Sequence, residues 1–100
     1  MDRHIPQSFG ETLIHGQKDV TTAGTAEILL TATESLWLHI RAKEDNSANI
    51  YVGDSDVDSA NGFILTTTNP DVKMYFDHKS DNLYIDSGSS GDGVSYIGYV

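Results

Sequence analysis

Apolar and polar positions alternate along most of the chain in runs too short for helices, and turn-forming residues separate the runs. The clearest is SLWLHIRAKE at 35–44, where Leu36, Leu38, Ile40 and Ala42 interleave with Trp37, His39, Arg41 and Lys43. A period of two sends successive side chains to opposite faces, so this stretch predicts a strand with one core side and one wet side. VKMYFDH at 72–78 repeats the pattern, with Val72, Met74 and Phe76 inward and Lys73, Tyr75 and Asp77 outward. Between them, ANIYVGDSDVDSANGFIL at 48–65 reads as strand, polar loop and returning strand, with Ile50 and Val52 inward and Phe63 and Leu65 on one face of the returning strand.

The remaining segments follow the same grammar. DVTTAGTAEILLTAT at 19–33 predicts a short strand from Val20, a turn at Ala23 and Gly24, and a second strand over 26–31; its threonines favour strand over a helical turn. Asn69-Pro70-Asp71 and Asp81-Asn82 mark turns, 83–85 is a strand, DSGSSGDG is a hairpin loop, and VSYIGYV at 94–100 is a last strand. NIYV at 49–52 and NLYI at 82–85 look alike, which is too short an echo to establish duplication. Together these runs predict an all-β, single-domain, jelly-roll-like β-sandwich of about eight short antiparallel strands over 19–100. Residues 1–18, interrupted by Pro6, Gly10 and Gly16, predict an extended N-terminal arm in which Ile5, Phe9 and Ile14 are apolar anchors for a neighbouring subunit.

Composition narrows the function. One hundred residues suit a single core, and 38% hydrophobic with 21% charged residues is globular composition. Fifteen acidic against six basic residues give a net charge of -9, which opposes binding to nucleic acid backbones and to anionic membrane surfaces. The absence of cysteine excludes disulfides, thiolate nucleophiles and thiolate-bound zinc. The opening MDRHIPQSFGETLI has neither the basic segment nor the apolar run of a secretory signal, so the expectation is a chain made in the cytoplasm.

No stretch carries recognisable catalytic spacing. Asp54, Asp56 and Asp58 alternate like the start of a calcium loop, but the sixth and twelfth positions hold Ser59 and Leu65 where that loop needs Gly and Glu. His4, His15, His39 and His78 are too scattered for a local metal motif, no nucleophile elbow occurs, and GSSGDG lacks the helix and Lys of a phosphate loop. The expectation is therefore a protein that is not an enzyme and needs no cofactor or metal. Two binding surfaces stand out instead. Trp37, His39 and Arg41 share the wet face of one strand, and Trp and Arg are residue types that concentrate energy at interfaces. Tyr51, Tyr75, Tyr84, Tyr96 and Tyr99 could form a sugar-stacking platform, although tyrosine is also simply a good strand residue.

Several segments carry a resemblance: VTTAGTAEIL at 20–29, the 37–42 strand leading into NIYVGDSDV at 49–57, the return at 62–65, and NLYIDSGSSGDGVSYIGYV at 82–100. Over about residues 18–100 the chain resembles small virion structural proteins of tailed bacteriophages, of the capsid decoration or cement type. The resemblance implies a β-sandwich, often a jelly roll, that binds the outer surface of the head as a homotrimer and clamps the major capsid protein. It leaves open a head-tail connector, stopper or fibre-attachment role; a carbohydrate-binding module is the alternative outside the virion.

Overall fold

The computed structural model describes residues 12–78 and 80–100. Eight strands are present: β1 (Leu13–Asp19), β2 (Glu27–Leu30), β3 (Leu36–Ala42), β4 (Ile50–Gly53), β5 (Phe63–Leu65), β6 (Asp71–Phe76), β7 (Leu83–Ser87) and β8 (Gly93–Tyr99). They form two four-stranded sheets, the first in the order β1-β8-β3-β6 and the second in the order β2-β7-β4-β5. Every neighbouring pair is antiparallel. The architecture is thus all-β and sandwich-like, with no helix among the described residues.

The pairings follow a simple rule. β1 pairs β8, β2 pairs β7, β3 pairs β6 and β4 pairs β5, as in one long hairpin whose two arms run side by side. Folding that double strand over itself alternates its rungs between two sheets, and the β3–β8 and β4–β7 ladders then join neighbouring rungs. The alternation in the sequence explains why the folded form is stable. Leu36, Leu38, Ile40 and Ala42 of β3 are buried and meet Ile50 and Val52 of β4, Leu65 of β5 and Ile85 of β7 in a single apolar cluster between the sheets. Val72, Met74 and Phe76 of β6 pack against this cluster from the sheet edge. The NIYV and NLYI echoes fall on β4 and β7, adjacent strands that pair Val52 with Ile85.

The first strand departs from the sequence reading. Residues 13–18, expected in the arm, are paired along their whole length with β8, from Leu13 opposite Tyr99 to Lys18 opposite Val94. Val20, expected to begin a strand, follows β1 in the turn region and is fully buried. Ile14, expected to anchor on a neighbouring subunit, packs against the chain's own core. The reason is the pairing itself: opposite β8, Gly16 is no breaker, because the ring of Tyr96 occupies the space a side chain there would need. Residues 1–11, with Ile5 and Phe9, lie outside the described residues.

Carboxylates organise one end of the sandwich. Asp92 is buried and accepts hydrogen bonds from the Ser47 amide at 3.0 Å and the Ala48 amide at 2.7 Å, tying the β3–β4 loop to the β7–β8 turn. Asp86, also buried, accepts from the Gly24 and Ser87 amides. Glu27 accepts from the Thr21 and Thr22 amides and from Lys18 Nζ at 2.9 Å. Each group pairs backbone donors of a neighbouring loop and so holds that loop in place.

Two outcomes follow. Gly98 sits between Ile14 and Leu38, and a Cβ there would collide with the Trp37 carbonyl oxygen; Gly98→Val is expected to cost at least about 2 kcal/mol, read as a lower denaturant midpoint. Burial alone would raise the Glu27 pKa, but the hydrogen bonds from Thr22, Thr21 and Lys18 outweigh it and hold the carboxyl at about 2, below its usual 4.5. A folded-state pKa below the unfolded one contributes stability above pH 4.5 that is lost as pH falls toward 2. Glu27→Gln is expected to cost about 2 kcal/mol at pH 7 and to flatten the acid limb of a stability-against-pH curve.

Candidate interaction face on the first sheet

The outer side of the first sheet brings distant segments into register. Residues Leu13, Tyr99, Trp37 and Tyr75 lie side by side across β1, β8, β3 and β6. The next outward row is His15, Ile97, His39 and Lys73, and the third is Gln17, Ser95, Arg41 and Asp71. With strands about 4.8 Å apart, each row spans about 14 Å. The first row is apolar and open: Leu13 is 52% exposed, Tyr75 59% and Tyr99 43%, with Ile97 beside it at 45%.

Trp37 is half-buried at the centre of this row, its ring 6.2 Å from that of Tyr75 and 6.3 Å from that of Tyr99, tilted by 51° and 43°. Tilted pairs at this separation are favourable and hold the indole in one orientation. Beside the aromatics, His39 Nε2 and Asp71 Oδ2 are 2.8 Å apart, and Arg41 reaches the other Asp71 oxygen at 4.0 Å. His15, Gln17, His39, Arg41, Ser95 and Ile97 line an open depression of about 460 Å³. A His–Asp pair is also part of a hydrolase triad, but the strand register sets Ser95 opposite Arg41 and places Ile97 opposite His39. Rigid aromatics flanked by fixed polar groups make a surface suited to recognition.

The structure brings together Trp37, His39 and Arg41, as their alternation implied. It separates the tyrosines: Tyr75 and Tyr99 stand on this face, Tyr96 packs against the core, and Tyr51 and Tyr84 point to the outer side of the second sheet, between buried neighbours. The full five-tyrosine platform therefore does not form. Leu13, His15 and Ile97 were missed as face residues, although Ser95, Ile97 and Tyr99 alternate with inward neighbours and carried a readable signal; Tyr99 was marked only as one of five candidate stacking tyrosines. Leu13 and His15 carried none, because their segment read as an arm.

The aspartate loop after β4 is tied to its own backbone. Asp54 accepts from the Asp56 amide, Asp58 from the Ala60 amide, and Asn61 bridges Asp58 and Asp56. Among the described residues, no group of three or more His, Asp or Glu side chains is placed to hold a metal ion.

Trp37→Ala is expected to lower stability by only about 1 kcal/mol, since the ring is half in solvent and its inward neighbours remain. A melting curve with intact β-sheet circular dichroism checks this, and it makes the variant usable in binding assays. No protein-family model, characterised protein or solved structure matches the chain, so the reading of this face rests on its own residues.

Proposed function

We propose that this chain is a capsid decoration protein of a tailed bacteriophage: a jelly roll that forms a homotrimer, sits on the outer surface of the head and clamps the major capsid protein. The jelly-roll reading is supported by the strand orders β1-β8-β3-β6 and β2-β7-β4-β5, which are those of an eight-stranded double hairpin rolled into two sheets. The observation that carries the functional reading is the exposed aromatic row of Trp37, Tyr75, Tyr99 and Leu13 beside Arg41 and His39. A rigid face of that composition is a docking surface, and mechanical stabilisation of a lattice needs repeated docking rather than chemistry. The segments that carry the phage resemblance include the turn after β1 and the loop between β7 and β8, where the Val20 amide donates to the Asp92 carbonyl, the Gly91 amide donates to the Val20 carbonyl and Asp86 holds Gly24.

A carbohydrate-binding module is the second reading, favoured by the same row, since Trp37 between two tyrosines offers stacking surface next to the polar atoms of His39 and Asp71.

Purified heads lacking the protein, mixed with it and sedimented, test the proposal. Saturable binding at many sites per head is expected, with Trp37→Ala lowering affinity at least tenfold. Binding only at a single vertex would indicate a connector, and no binding to heads together with a positive glycan array would favour the sugar module. Removing residues 1–11, a truncation that spares β1, is expected to reduce occupancy; undiminished occupancy would exclude Ile5 and Phe9 from the contact.

A further inference from the structure

We infer that the outer face of the first sheet receives a second copy of this chain, and that the part it receives is the loop end around Asp54, Asp81 and Phe63. The inference deepens the homotrimer of the proposed function and rests on that reading only for self-assembly.

Charge is segregated on the molecule. Of the Lys and Arg among the described residues, Lys18 is bonded to Glu27 and Lys43 to Asp19. The other two, Arg41 and Lys73, both stand on the outer face of the first sheet, together with His15 and His39, and Asp71 is the one carboxylate in those three rows. Among the described residues of a chain whose net charge is -9, this face is the one where cationic side chains gather. The complement lies elsewhere on the same chain. The loops after β4 and β6 bring Asp54, Asp81, Ser55 and Ser80 around one depression, and Asp56 joins Asp54 at another. Among the described residues, neither Asp54, Asp56 nor Asp81 has a Lys or Arg partner. Phe63, which opens β5 directly after the aspartate loop, is 58% exposed.

One surface therefore offers aromatics and cations, and the other an exposed phenyl ring and carboxylates. Docking face to face would bring together two surfaces with the same excess of Arg, Lys and His, each offset only by Asp71, so like charge disfavours a two-fold contact through this face. Docking face to loop end matches charge with charge and apolar with apolar. Such a contact is head-to-tail, and it closes into a ring when the rotation per subunit allows. The loop end is formed by the connections from β4 to β5 and from β6 to β7, whereas the face is formed by strand residues of β1, β8, β3 and β6, so the two surfaces draw on different residues of one chain.

The test uses two variants of the full chain, each checked for an unchanged melting profile, with mass read by light scattering. Arg41→Glu with Lys73→Glu disables the face; Asp54→Asn, Asp81→Asn and Phe63→Ser disable the loop end. The wild type is expected to be trimeric, with its mass falling as salt screens the contact. Each variant alone is expected to be monomeric, and an equimolar mixture to give a two-chain complex, because one intact face and one intact loop end remain. A wild type that stays monomeric, variants that keep the wild-type mass, or a mixture that stays monomeric overturns the inference. Sedimentation with heads on the same proteins separates this from the decoration reading: a face variant that keeps its mass but no longer binds heads assigns the face to the capsid, whereas wild-type protein that trimerises but ignores heads retires decoration alone.

Discussion

The two sides of β3 tie the core to the interaction face. Its inward residues, Leu36 to Ala42 by alternate positions, are buried in the cluster between the sheets, and its outward residues, Trp37, His39 and Arg41, form the centre of the three exposed rows. Because β3 is paired on both edges, by β6 and β8, its backbone cannot shift by one residue without sending every apolar side chain into water. The register that keeps Leu38 and Ile40 dry is the same register that aligns Trp37 with Tyr75 and Tyr99. Rigidity of the face is thus a by-product of burial.

The two ends of the sandwich use the same residue type in opposite ways. At one end, Asp86 and Asp92 are buried and spend their oxygens on backbone amides of neighbouring loops, so that the 20s loop, the β3–β4 loop and the β7–β8 turn are cross-linked. Gly91, in the left-handed region at φ 94°, makes the turn that brings Asp92 into place, and its amide donates to Val20. At the other end, Asp54, Asp56 and Asp58 are exposed and bind at most their own loop. An acidic composition therefore serves as internal fastening at one end and as an outward field at the other.

Much of this was legible in the chain. Strand positions from β2 to β8 followed from alternation and from turn residues, because both are local properties, and the inward assignments of β3, β4 and β6 follow from the same period. β1 was not legible, because Leu13, His15 and Gln17 give no apolar alternation and Gly16 reads as a breaker until Tyr96 is set against it. The interaction face was half legible. Alternation marks Trp37, His39 and Arg41 as outward, but which outward residues become neighbours depends on pairing between strands far apart in sequence, and no local pattern encodes that. The split of the five tyrosines has the same origin.

The aromatic row draws one residue from each strand of the first sheet, at positions 13, 37, 75 and 99, and β1 meets β8 across nearly the whole sequence. Contacts this distant carry a large loop-closure entropy, which must be overcome before they are made. A partly folded chain has no such row, since any missing strand removes a quarter of it. Under the proposed docking role, the row therefore doubles as a certificate of completion: only a molecule in which β1 and β8 have found each other presents it.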